Sequence, residues 1–405
     1  MADPRVALAV TGLGVVSPLG TGAAAFWQAL SAGASGIGPL PDAGDAVPRL
    51  GAPVTDAAWR DRKLDPKLRR ADRLSQWVAA CARLALEDAG IEADAVPPDR
   101  LAVVVGSAFG NLKDSMTYLE RLYTKGPSLA SPLAFSNLVL NAPASYGAME
   151  LGATGANLTV SQDELSGEQA LAAAATLLRA GRADVVVAGG VDEIARPAII
   201  GYARFRALSS QRGGPEWCSP YDERRNGLVL GEGAAMLVLE TTEHAKRRGV
   251  RPYAELDGVS CFAVSAPPYD WPAAAPAAVA RVRECVAGTP VDVVFGSANS
   301  SRRLDTCELD VLGAAFGDAA VGLPVTSIKG ATGEFGAAGA LTAAAACLAL
   351  RHGVVPPLCH LRDPLPGTRC LLSQRALTRP LRSALMLSLA RGGAVAALPF
   401  RRPQS

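Results

Sequence analysis

The sequence predicts an α/β protein of two loosely equivalent halves, and three patterns carry that expectation. Apolar, strand-like runs alternate with stretches of helical spacing, the pattern of helices laid on both faces of largely parallel sheets. An apolar strand, a glycine-containing turn and an alanine-rich helix follow one another at 157–180 and again at 324–351. Of the 405 residues 49% are apolar and only 19% are charged, which suits a large buried core.

The runs that read as strands are 6–14, 102–107, 156–161 and 184–190, then 233–240, 291–296, 323–328, 384–389 and 394–399. Leu74 to Ala89 repeats apolar residues at helical spacing, with Gly90 placed as its C-cap. A further helix is expected over 167–179, inside the alanine-rich stretch Ser166 to Ala180. The halves are expected to be 1–255 and 256–405. Segments 39–60 and 263–276, rich in proline and alanine, read as surface loops, and the tail 400–405 as loose.

Composition excludes several classes of function. The net charge is +2 without a long basic run, so neither nucleic acid nor an anionic membrane is expected as a main partner. Eight cysteines (81, 218, 261, 285, 307, 347, 359 and 370) are scattered with no CxxC pair, as in a reducing, cytoplasmic setting. His244, His352 and His360 have no metal-ligand spacing, and Gly33, Gly36 and Gly38 complete no phosphate-binding fingerprint. No metal or cofactor is therefore expected. Val6 to Val10 is too short for a secretory core and breaks at Gly12 and Gly14, so it reads as a first strand, and no run reaches membrane-spanning length.

The segment 159–168, Thr-Val-Ser-Gln-Asp-Glu-Leu-Ser-Gly-Glu, leads from a strand into a helix. An acid at such a helix start is favoured by about 0.3–1 kcal/mol, so Glu164 can be purely structural and Asp163 a simple cap. Other motifs give the turn a context. They are Val-Thr-Gly-Leu-Gly-Val-Val-Ser-Pro-Leu-Gly (10–20) followed by Phe26-Trp27-Gln28-Ala29-Leu30; Ser219-Pro220-Tyr221-Asp222 with Asn226-Gly227 and Gly231-Glu232-Gly233; Pro324 to Gly330; Gly336-Ala337-Ala338-Gly339; and Arg391-Gly392-Gly393. Together, and in this order over the whole chain, they resemble the β-ketoacyl synthases. The resemblance implies a thiolase-like fold of two pseudo-repeated halves in a layered α-β-α-β-α arrangement.

It also implies a site of four parts. A Cys thiolate at a helix N-terminus takes the acyl group, two His assist malonyl decarboxylation and stabilise the enolate, and a Lys orders the charges. Aligned motif by motif, this chain keeps only Lys329. Glu164 stands for the Cys, Ser297 (in 297–301, anchored by Asp305 and Glu308) for the first His and Glu334 for the second. Asn226 replaces the usual Asp and Arg391 a gating Phe. Loss of one preorganised donor costs roughly a hundred- to a thousand-fold. Loss of the nucleophile and both His leaves essentially no decarboxylative Claisen condensation of acyl- and malonyl-carrier-protein thioesters.

This pattern is similar to that of the chain length factors (KSβ) of type II polyketide synthases, which usually carry Gln where Glu164 stands. The sequence alone does not separate systems of the aromatic kind from highly reducing, polyene-type ones, and the loss of both His favours the polyene type. The resemblance implies a heterodimer with a catalytic ketosynthase (KSα) and an acyl carrier protein reached through that complex. Helix 112–122 and stretch 131–141 match interface segments, making Met116, Leu119, Phe135 and Leu138 candidates for a shared tunnel, against ordinary core. Two alternatives stand beside it: a malonyl-carrier-protein decarboxylase acting through Glu164 and Lys329, and a pure scaffold. Lys329 is also readable as scaffolding paired with Glu334, Ser297 as filler, and Arg391 as a surface group or a partner of Glu164 or Glu334.

Overall fold

The computed structural model describes residues 6–40, 49–61, 64–92, 95–287 and 289–403. Among these, thirteen strands join into one sheet. From one edge its main path runs Leu371–Leu372, Pro324–Thr326, Val293–Phe295, Ser383–Leu389, Ala394–Arg401, Ala254–Leu256 and Leu8–Ser17. It continues through Gly233–Thr241, Val185–Asp192 and Leu101–Gly106 to Asn157–Val160 at the other edge.

Residues of each strand alternate between two faces, and the alternation builds five layers. On the outer face of the first half, Val103, Val105, Val187 and Met236 pack with Trp77 and Leu74 of helix Arg73–Asp88 and Ala148 of helix Ala142–Leu151. Their neighbours Ala102, Val104, Val186 and Leu237 turn inward to Leu171 and Ala174 of helix Ser166–Arg179 and to helix Ala338–His352. Phe295, Met386 and Leu398 of the second half meet the same two helices from the opposite side. Val294, Leu385 and Leu387 face outward to helices Trp271–Cys285 and Arg302–Phe316. Helix Ala338–His352 is buried without a break from Ala338 to Leu350, as a helix enclosed on all sides must be.

The sheet is mixed rather than largely parallel. Leu101–Gly106 is parallel to both its neighbours, and so is Val293–Phe295. Leu8–Ser17 and Val185–Asp192 instead run antiparallel to Gly233–Thr241, and Ser383–Leu389 antiparallel to Ala394–Arg401. The last pair is joined by a turn too short for a parallel crossover.

Three loop expectations are corrected. The final strand runs to Arg401 with Phe400 fully buried, so the tail is not loose up to that point; 404 and 405 lie outside the described residues. In 263–276 a helix begins at Trp271, because Trp271, Ala274, Ala278 and Val282 recur at helical spacing and are buried. In 39–60, Gly38–Pro39 pairs with Leu50–Gly51 and Trp59 is buried, while 41–48 lie outside the described residues.

The two central helices touch backbone to backbone. A Cβ on Gly167 would lie 2.6 Å from the Ala340 nitrogen and 3.0 Å from the Ala337 oxygen. This close approach fixes the helix that carries the 163–165 turn. Gly167→Ala is expected to destabilise the fold by about 1–3 kcal/mol in equilibrium urea unfolding, the cost of an overpacked core; an unchanged midpoint would contradict the close approach.

Candidate functional site

Strand Asn157–Val160 ends at a tight turn rather than running straight into the helix. Asp163 adopts φ 47 and opens a 3-10 turn, Asp163–Leu165, before helix Ser166–Arg179. The Ser166 hydroxyl knots the turn: its Oγ accepts from the Gln162 N–H at 3.1 Å and donates to the Asp163 carbonyl at 2.7 Å. Asp163 is thus not a cap. Its Oδ1 accepts from Arg391 Nη2 at 2.6 Å.

Arg391 is an interior group, not a surface one. Its Nε lies 2.6 Å from Glu164 Oε1, and its backbone N–H donates to Glu164 Oε2 at 2.9 Å. The guanidinium carbon sits 4.9 Å from the Tyr202 ring centre and 5.7 Å from that of Tyr269. It also donates to both phenol oxygens, each at 3.3 Å. Burial pushes the Glu164 carboxyl up to about 7 against the pull of Arg391. Burial disfavours charge on Arg391 too, but Glu164, Tyr202 and Asp163 outweigh it and hold the guanidinium protonated.

A second pair lies behind the first. Lys329 Nζ is 2.8 Å from Glu334 Oε2, which also accepts from Asn299 Nδ2 at 2.7 Å. Both charged side chains are buried. Burial alone would lower the Lys329 pKa, but the neighbouring Glu334 outweighs it and raises it, so Lys329 stays protonated.

Ser297 belongs to a third network and is not filler. Its N–H and Oγ both donate to Glu308 Oε1 at 2.7 Å, and its Oγ accepts from the Leu389 N–H at 3.0 Å. Glu308 Oε2 takes the Tyr221 hydroxyl at 2.5 Å and the Ala298 N–H at 3.0 Å. Asn226 ties two loops, accepting from the Ser209 hydroxyl and donating to the Gly213 and Pro215 carbonyls. No thiol joins these networks as a nucleophile: Cys218 only donates weakly to the Asn299 and Lys329 carbonyls, and burial raises its pKa.

Glu168 was missed from sequence. It is fully buried one turn beyond Glu164, pressed on Gly339, and burial pushes it up to about 7 against a Ser388 hydrogen bond and the charge of Lys329. Its position was a legible signal, since Leu165, Glu168, Leu171 and Ala175 recur at helical spacing on the buried face. Tyr202 and Tyr269 had no such signal.

Met116, Leu119, Phe135 and Leu138 are not brought into this interior and are not ordinary core. Met116 is 45% and Phe135 58% exposed, and Leu138 is half-buried in a groove shared with Tyr118 and Ala134. Tyr123, Leu140, Met149 and Leu158 are also exposed, the last on the edge strand.

The strand-to-helix turn, the Lys329–Glu334 pair and the 391–393 loop thus surround one buried interior. The Beta-ketoacyl synthase N-terminal domain matches residues 6–245 and the C-terminal domain residues 257–362, and the chain belongs to the β-ketoacyl synthase family. It is 34% identical over 374 residues to the 3-oxoacyl-[acyl-carrier-protein] synthase 2 of Coxiella burnetii, across 88% of this chain and 89% of the relative. It is 32% identical over 418 residues to the granaticin polyketide putative beta-ketoacyl synthase 1 of Streptomyces violaceoruber, across 98% of each. In structure it is similar to the ishigamide ketosynthase/chain length factor, with TM-score 0.89, 27% identity and coverage of 99% and 100%. It is also similar to a type II PKS acyl-carrier protein in complex with its ketosynthase, with TM-score 0.86, 26% identity and coverage of 98% and 99%. Among the described residues no helix is long and apolar enough to cross a membrane.

Glu168 makes the site sensitive to pH. Its carboxyl rises from 4.5 unfolded to about 7 folded, so the native state holds a proton that the unfolded chain has lost. Stability from this group is complete below 4.5 and falls as pH rises to about 7, by roughly 3 kcal/mol. Glu168→Gln, which stays neutral, is expected to exceed the parent in stability at pH 8 and to match it at pH 4. Urea melts at the two values check this, and equal gains at both would count against it.

Proposed function

We propose that this chain is a non-catalytic chain length factor. It pairs with a Cys-bearing ketosynthase and shapes the tunnel that holds the growing polyketide during condensation of acyl- and malonyl-carrier-protein thioesters. One observation carries the reading: each replaced catalytic position is satisfied inside the protein. Glu164 is paired with Arg391, Glu334 with Lys329, and Ser297 with Glu308. Groups engaged in this way are not free to attack a thioester or to stabilise an enolate. The degenerate positions are therefore Glu164, Ser297, Lys329, Glu334 and Arg391.

The exposed apolar face supports the partner half of the reading. Met116, Leu119 and Tyr123 are uncovered on helix Leu112–Lys125, whose Tyr118 meets the exposed Phe135, and Leu158 is uncovered on the edge strand; exposed apolar surface of this kind marks an interaction site. The structures it resembles include the ishigamide ketosynthase/chain length factor and a ketosynthase in complex with its acyl-carrier protein. In this reading the chain divides near residue 255 into two thiolase-like halves, works in the cytoplasm without a cofactor, and serves a polyene-type system.

The decarboxylase alternative draws on Glu164, whose carboxyl burial pushes up to about 7, but Arg391 already engages both of its oxygens. Incubation of the chain alone with malonyl-loaded carrier protein is expected to release no carbon dioxide; release lost in Glu164→Ala would reverse the assignment.

Co-expression with a Cys-bearing ketosynthase is expected to yield a one-to-one complex. Phe135→Ala in that complex should lengthen the product and Met116→Trp shorten it. A chain that stays a homodimer beside such a partner sinks the reading. Unchanged product length in an intact complex would leave a pure scaffold.

A further inference from the structure

The mouth of the interior, and not only its chemistry, has been rebuilt. Arg391 begins a three-residue loop whose Gly392 and Gly393 take φ 73 and 84. A Cβ on Gly393 would lie 2.2 Å from the Val264 carbonyl, and the Val264 N–H donates to the Gly393 carbonyl at 3.0 Å. The loop is thereby docked on the segment that leads to Tyr269. Tyr269 holds φ 64, a backbone region that aromatic residues seldom adopt, and packs against Phe205, tilted to it at 5.4 Å, and Trp271, edge-on at 5.5 Å. Trp271 is buried in the outer helical layer, so this ring is anchored rather than loose.

On the other side stands Tyr202, which is buried, with Phe109 edge-on to it at 6.5 Å. Phe109 is 38% exposed. Phe109, Tyr202, Arg391 and Glu164 thus touch one after another, from a solvent-facing ring to the carboxyl. The guanidinium is held by two carboxylates and two phenols. A group with four polar partners and two aromatic faces has little reason to move aside for a neutral thioester.

We propose that Arg391 is a bolt: with Tyr202, Tyr269 and Phe109 it closes the interior at Glu164 to a carrier-borne acyl-thioester arm. The contact is autoinhibitory in form. The subunit would exclude such an arm even if a nucleophile were restored. This deepens the reading of Glu164 as the vacated nucleophile position and rests on it.

The test restores a thiol and measures its access. Glu164→Cys and the double variant Glu164→Cys/Arg391→Ala are treated with iodoacetamide, and alkylation at position 164 is followed by peptide mass mapping, with the parent protein as background for the native cysteines. A bolted site predicts slow labelling of the single variant and at least tenfold faster labelling of the double variant. Rapid labelling of Glu164→Cys alone overturns the proposal. So does slow labelling of a double variant whose circular dichroism is native. If Arg391→Ala prevents folding, Glu164→Cys/Tyr202→Ala opens the same contacts and carries the same expectation, with slow labelling again overturning it. Pairing with a ketosynthase is read separately by co-purification, so failure of the bolt and failure of the chain-length reading are told apart.

Discussion

The site depends on charge neutralisation in a largely enclosed interior. Three carboxyls, Glu164, Glu168 and Glu334, are enclosed with two cations, Lys329 and Arg391. An isolated buried charge is prohibitively costly, so every ionised group there needs a partner. Arg391 takes Glu164 and Lys329 takes Glu334, while burial pushes the carboxyls of Glu164 and Glu168 alike up to about 7. The substitutions are consequently not independent. A glutamate at 164 without an arginine at 391, or one at 334 without Lys329, would have to take up a proton or stand as an unpaired buried charge, and breaking a buried pair costs on the order of 3–5 kcal/mol.

The fold supplies the enclosure. Two central helices meet at Gly167 and Gly339 closely enough that Glu168 rests on the opposite backbone, and the sheet covers them on both sides. The 391–393 loop lies against this enclosure through Arg391, and in the proposed bolt the ion pair that balances the charge of Glu164 also governs access to it.

Much of this was legible in the chain. Apolar runs located the strands to within a few residues, because period-two alternation over Leu101–Gly106 and Val185–Asp192 reflects two buried faces. Motif order located Glu164, Ser297, Lys329 and Glu334 without coordinates. Strand direction was not legible, since the apolar pattern of Gly233–Thr241 is the same whether its neighbours are parallel or antiparallel. The partners of Arg391 were equally hidden: Asp163, Tyr202 and Tyr269 lie 228, 189 and 122 positions away in sequence. Trp271 was masked by the prolines and alanines around it, which obscured its helical spacing.

The remaining surface points outward. The apolar face around Met116 and Phe135 is as uncovered as the interior is closed, the division of labour expected of a subunit that contributes shape and leaves bond-making to another chain. The most direct measurement is intact-protein mass spectrometry of the reconstituted pair after incubation with acyl- and malonyl-carrier proteins. The account predicts an acyl adduct on the partner's cysteine and an unchanged mass for this chain. A covalent acyl group on this chain, at Glu164 or elsewhere in its interior, would contradict it.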